Sequence, residues 1–292
     1  MQQAVFSSAA AGPAPTQLAT PIRGTLSFIV PQDEKPAFHS AALTGDQPKM
    51  LFETEPHEVQ VADMRPFAER FSIDREGFEL IGHETGVEDL YDDEAVAARY
   101  YPEIEALLRA RFGADRVVIF DATRRSDNGI GAANPDGRRG PAGRIHVDYT
   151  AKSGPQRVKD FLGEQEARRL AASGARVIQV NVWRPITGPV RRSPLALADA
   201  SSVRPEELVA TDQVFPDRVG EIYHLTHAPA QRWYYAPEMT RDEVLLIKGW
   251  DSLEDGRAQY TPHSAFDLPE GTEAAPPRES IEVRTFVVIE RP

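Results

Sequence analysis

His146-Val147-Asp148 sets an imidazole and a carboxylate two residues apart. In a strand, where side chains alternate between faces, His146 and Asp148 point to one side and Ile145, Val147 and Tyr149 to the other. Such a pair can chelate one divalent ion. Joined by a distant histidine, it makes a two-histidine, one-carboxylate face that leaves three positions open on non-haem Fe(II) for a cosubstrate and O2. The tripeptide alone is a weak signal. Seven histidines in a chain with 45 acidic residues among 292 produce about one His-x-Asp/Glu by chance, and a half-buried strand with a salt-bridged histidine on its wet face has the same letters.

A third ligand has to come from a later strand. His39, His57 and His83 precede the pair, whereas His224 and His227 lie three apart and would face opposite sides of one strand. His263 sits in Pro262-His263-Ser264-Ala265-Phe266, after the apolar run Val244-Leu245-Leu246-Ile247. It is favoured by the residues downstream of it. In Arg278-Glu279-Ser280 a guanidinium and a hydroxyl share one face at the start of the last strand, a combination suited to gripping a carboxylate bidentately. Arg284 has the same parity and is the alternative clamp. Asn181 and Trp183 share a face of another strand, where an amide and an indole can line a polar pocket. Arg124-Arg125 is either an anion-holding pair or a solvated basic pair. Tyr149, Trp233, Tyr234, Tyr235 and Phe266 are either a substrate wall or, more in keeping with their type, core.

These groups need elements to position them. From Glu94 to Phe112 the apolar residues Val96, Tyr100, Ile104, Leu107, Leu108 and Phe112 recur every three or four positions, which predicts a helix capped by Asp92 or Asp93 and ended by Gly113. A second helix is expected over Gln156 to Ala172, burying Val158, Phe161, Leu162 and Leu170. Strands are expected at Arg116–Asp121, Arg144–Thr150, Ala175–Trp183, Glu221–Thr226, Glu243–Lys248 and Ser280–Ile289, separated by the Gly- and Asn-rich stretch Asp127–Gly143 and the Pro-rich stretch Leu268–Pro277. Residues 1–23, with Ser7-Ser8-Ala9-Ala10-Ala11-Gly12-Pro13, read as a flexible tail. Residues 24–292 read as one domain, mostly β with flanking helices.

The composition narrows the function. No apolar run approaches the roughly 20 residues that a membrane helix requires. The absence of cysteine leaves only histidine and carboxylate chemistry for a metal. A net charge of -12 argues against a general phosphate-backbone binder. Met1 to Ala19 lacks a basic start and a sustained apolar core, so the cytoplasm is the expected compartment.

The order His146-x-Asp148, His263, Arg278-x-Ser280 resembles the Fe(II)/2-oxoglutarate-dependent dioxygenases of double-stranded β-helix (jelly-roll, cupin-like) fold. The strings Asn181-Val182-Trp183-Arg184-Pro185, Pro194-Leu195-Ala196-Leu197-Ala198-Asp199, Pro262-His263-Ser264-Ala265-Phe266 and Arg278-Glu279-Ser280-Ile281-Glu282-Val283-Arg284 are similar to the hydroxylase/desaturase group that includes fungal gibberellin desaturase and a component of cephalosporin 7α-methoxylation. The resemblance runs from Phe78 to the C terminus. It implies His146, Asp148 and His263 as iron ligands, Arg278 and Ser280 on the distal carboxylate of 2-oxoglutarate, and Asn181 with Trp183 lining its pocket. The loop between His263 and Arg278 is longer and richer in proline than the tight turn common in that family, so Arg284 stays open as the clamp. Halogenases of this kind carry a small residue in place of Asp148, which argues against halogenation here. The implied activity is hydroxylation or desaturation of a natural-product intermediate, with 2-oxoglutarate and O2 converted to succinate and CO2. No nucleic-acid or membrane partner is implied, and a homodimer is compatible with it. Two other readings are a metal-dependent oxygenase or isomerase that does not use 2-oxoglutarate, and a non-catalytic helper of a tailoring system.

Overall fold

The five-stranded sheet that carries most of the polar candidate residues has the order Phe78–Gly82, Glu243–Asp251, Arg176–Pro185, Glu279–Ile289, Arg116–Ser126, antiparallel throughout. It belongs to a computed structural model that describes residues 20–45, 47–135, 137–268 and 275–290. The expected tail lies outside the described residues as far as residue 19, and the first strand, Ile22–Ile29, begins two residues inside the stretch expected to be tail. Most of the Pro-rich stretch after Leu268 is likewise outside them.

Arg176–Pro185 is central and buried at every position, so its alternation separates two buried faces rather than core from water. Ile178, Val180 and Val182, with Ile281, Val283 and Val287 beside them, pack against Val96, Tyr100, Ile104 and Leu108 of the expected helix. Complete burial of side chains such as Ile104 and Leu108 contributes roughly 1.5–3 kcal/mol each. That helix spans residues 93–112. Asp92 caps it by accepting from the backbone N–H groups of Glu94 and Ala95 at 3.0 and 3.1 Å, and Gly113 ends it in the left-handed conformation. Val96–Tyr100 forms a π-helical turn just before Pro102, which has no N–H to offer the carbonyl four residues back.

The opposite face of the sheet carries Gln179, Asn181 and Trp183, and on the adjoining strand Ser280, Glu282 and Arg284, with Asn181 paired to Arg284 and Trp183 to Glu282. One end of this face is closed by Val177, Phe286 and Val288 against Val158 and Leu170. The other end is closed by Trp183, Leu245 and Ile247 against Phe78, Leu195 and Leu197. Polar groups lie between these two apolar layers.

A ten-stranded sheet covers that face. Its middle runs Trp233–Tyr235, Leu195–Ala198, His263–Ala265, His146–Val147, Val219–Leu225, each antiparallel to the next. The strand expected over Arg144–Thr150 is reduced to His146–Val147. Hydroxyls end it: Thr150 N–H donates to Ser153 Oγ at 2.9 Å, and Thr150 Oγ1 accepts from the N–H groups of Lys152 and Ser153, turning the chain into a helix. The helix expected over 156–172 is two, Ser153–Leu162 and Glu164–Ser173, because Gly163 takes φ 85° and ψ 151°, which interrupts the helical ladder. Val158 and Leu170 are buried as expected, whereas Phe161 is exposed. The aromatic residues resolve as core. Trp233, Tyr235 and Phe266 pack with Leu26 and Phe28, Tyr149 packs with Trp250, and Tyr234 lies against Phe71 and Phe78.

Candidate active site

His146 and His263 are directly paired across neighbouring strands, with ring centroids 4.6 Å apart. Asp148 lies just past the strand end, yet its Oδ1 is 3.8 Å from Nε2 of His146. Local pairing thus joins residues more than a hundred positions apart. Among the described residues no trio of histidine and carboxylate side chains is drawn tightly round one point. The three form an open set of neighbours, not a closed cage.

Their donor chemistry fits a divalent ion. A carbonyl only accepts, so Nδ1–H of His146 donates to Arg144 O at 2.8 Å and Nδ1–H of His263 to Thr261 O at 2.9 Å. With the proton on Nδ1, each ring keeps its Nε2 lone pair for a ligand. Burial, then the neighbouring His263, push His146 down to about 3, so it is uncharged near neutrality. For Asp148 burial acts upward, but Arg284, foremost among its neighbours, holds the carboxyl well below the usual carboxylate range.

A supporting layer orients that carboxylate. Asp148 Oδ2 accepts from Asn181 Nδ2 at 2.7 Å and from Arg284 Nε at 3.1 Å, and Gln179 Nε2 donates to Asn181 Oδ1 at 2.6 Å. Asn181, expected to line a cosubstrate pocket, holds Asp148. Arg284 also donates to Asp121 Oδ2 at 2.7 Å and Thr123 Oγ1 at 3.0 Å, and pairs with Glu282 at 2.5 Å. Protein carboxylates occupy it, which disfavours it as a clamp.

Arg278 is the contrast. It is 2% exposed, and its Nε and Nη2 have no partner among the described residues. Its guanidinium lies 5.7 Å from the Trp183 ring centroid. Burial, then the charge of Arg125, push it down to about 10. Asp127 and Glu282 are its acidic neighbours, but neither is hydrogen-bonded to the guanidinium, and buried N–H groups without partners are unfavourable, so the geometry suits an added anion. Arg278 lines one cavity with Trp183, His146, His263, Arg125 and Glu282. Ser280 is buried on the same face as Arg278, opposite Arg125 in register.

The rival residues serve other contacts. His224 pairs with His146 on its other side, but its Nδ1 bonds Thr211 Oγ1 at 2.9 Å and its ring packs on Phe52. His227 stacks on His57 at 4.0 Å. Arg124 donates to Leu90 O at 2.6 Å and pairs with Asp93 at 2.8 Å, so only Arg125 of that pair reaches the cavity. Gln179, Glu282 and the orienting role of Arg284 are not evident from motifs. Their signal is parity: Gln179 shares a strand face with Asn181, and Glu282 and Arg284 share one with Ser280.

Fold and site together define a class, a mostly-β protein with a histidine–carboxylate cluster beside a buried arginine. A family model described as an oxidoreductase/YMDC permease-like domain matches residues 26–288. The hydroxylase/desaturase efuI of Hormonema carpetanum is 33% identical over 260 residues, covering 82% of this chain and 85% of its own. The alpha-ketoglutarate-dependent dioxygenase phiK of a fungal species is 34% identical over 238 residues, covering 79% and 83%. Among solved structures, the iron and alpha-ketoglutarate-dependent endoperoxidase NvfI superposes with a TM-score of 0.82 at 29% identity, covering 93% of this chain and 99% of that one. The chain belongs to the Fe(II)/2-oxoglutarate-dependent dioxygenase family, in its hydroxylase/desaturase branch.

Proposed function

We propose that this chain is a cytoplasmic Fe(II)/2-oxoglutarate-dependent oxygenase that hydroxylates or desaturates a specialised-metabolite intermediate, with His146, Asp148 and His263 as iron ligands and Arg278 with Ser280 as the clamp on the distal carboxylate. The observation that carries the reading is the unpartnered guanidinium of Arg278 in the same cavity wall as the two histidines. Bound iron with 2-oxoglutarate and O2 supplies the oxidising power to remove hydrogen from an unactivated C–H bond, releasing succinate and CO2.

The protein's own residues position and exclude. Arg144 and Thr261 carbonyls fix both imidazole tautomers, and Asn181 with Arg284 fixes the carboxylate. Trp183 supports the face of Arg278. Residues 24–292 act as one jelly-roll domain in this reading. Its support is the chain path: among the described residues from Arg116–Ser126 to Glu279–Ile289, four strands of the five-stranded sheet are interleaved with six of the ten-stranded sheet.

The test is an anaerobic Fe(II) titration with and without 2-oxoglutarate, following the weak visible charge-transfer band of the chelated complex. The band is expected in wild type, absent in His263→Ala, and formed only at much higher 2-oxoglutarate in Arg278→Ala. A folded, iron-loaded wild type with no band overturns the 2-oxoglutarate assignment and leaves a metal-dependent oxygenase or isomerase of the same fold.

A further inference from the structure

We infer that Arg125 is a second residue holding the cosubstrate, engaging the 2-oxo-acid end of 2-oxoglutarate while Arg278 holds the distal carboxylate. The inference rests on the proposed function and assigns a residue which that reading leaves unused. Arg125 is paired with Ser280 across adjoining strands, so its side chain emerges on the face shared by Arg278, Ser280, Glu282 and Arg284. It reaches the wall of the cavity that also holds His146, His263 and Arg278.

Its surroundings leave it available. Nη1 donates to the carbonyl of Gly140 at 2.9 Å, which aims the guanidinium without neutralising it. Among the described residues no carboxylate pairs with it. Its neighbours also place it along the cavity. The charged neighbours of Arg125 are Glu282, Arg284, Arg139 and Asp148, and those of Arg278 are Arg125, Asp127 and Glu282, so of the two arginines it is Arg125 that also faces the ligand carboxylate. Arg125 therefore lies between the clamp and the ligand cluster. Two like charges sharing one small cavity repel, and a dianion spanning them relieves that repulsion at both ends.

The experiment measures binding by isothermal titration to anaerobic, Fe(II)-loaded protein, using 2-oxoglutarate and 2-oxovalerate, in which a methyl replaces the distal carboxylate. Wild type is expected to prefer 2-oxoglutarate, and Arg278→Gln to lose most of that preference. Arg125→Gln is expected to weaken both ligands by about tenfold or more and to keep their ratio. Arg125→Lys, which retains the charge, is expected to recover part of the loss for both and covers the case in which the glutamine variant does not fold. Unchanged affinities in Arg125→Gln, or a collapsed ratio like that of Arg278→Gln, overturn the inference. A wild type that binds neither ligand overturns the proposed function itself, a distinguishable result.

Discussion

Arg284 donates from Nε to Oδ2 of Asp148 at 3.1 Å, while the other oxygen of that carboxylate lies 3.8 Å from Nε2 of His146. The arginine thus holds the ligand from behind. Arg284→Met is expected to lower iron affinity by about 10- to 100-fold, measured by Fe(II) titration. Arg284→Lys is expected to recover little, because a single ammonium cannot reach Asp148, Asp121 and Glu282 together.

The amide relay behind Asp148 begins at Gln179, and Gly249 makes room for it. A Cβ on residue 249 would lie 1.8 Å from Gln179 Oε1. Gly249→Ala is expected to displace Gln179, destabilise the fold by about 1–3 kcal/mol, and weaken iron binding although residue 249 is no ligand. Chemical denaturation and the same iron titration measure the two effects.

Arg278 links ligand and stability. At 2-oxoglutarate one hundred times above its Kd, the wild type is expected to gain about 2.7 kcal/mol against unfolding, seen as a raised Tm. Arg278→Met, which removes the unpartnered cation and keeps the stem over Trp183, is expected to melt no lower than ligand-free wild type and to lose the ligand-induced rise.

His224 predicts a response to acid. Burial, then the charge of Arg144, push it down to about 4 from an ordinary 6.5. Between those values the unfolded chain holds the proton and the folded one does not, so stability is complete above pH 6.5 and is lost as pH falls toward 4, by about 3 kcal/mol for this group. Denaturant titrations of metal-free protein at pH 7.5 and 4.5 should show the loss. His224→Gln should make it shallower by roughly one proton.

What could be read in advance came from spacing. The 93–112 helix announced itself through Val96, Tyr100, Ile104 and Leu108, whose intervals fit one apolar stripe, and through Asp92 and Gly113 at its ends. His146 and Asp148 were legible as neighbours because they stand two positions apart. Their meeting with His263 was legible only as an expectation, since it depends on strands pairing across more than a hundred residues. Roles were harder. Asn181 and Arg284 both present polar groups on the inner face, and nothing in their local sequence says that one carboxylate, Asp148, takes both. The shortened strand at His146–Val147 arises from hydroxyl turns at Thr150 and Ser153, and the helix break from the conformation of a single glycine, Gly163. Both are short-range competitions that periodicity averages away.

The two faces of Glu279–Ile289 also set limits on how such a protein can diverge. Ile281, Val283 and Val287 anchor the helix, while Glu282 and Arg284 serve the site, so deleting one residue ahead of Arg284 would exchange the two sets at a stroke. Lineages can replace side chains on this strand one at a time. They can change length only outside it.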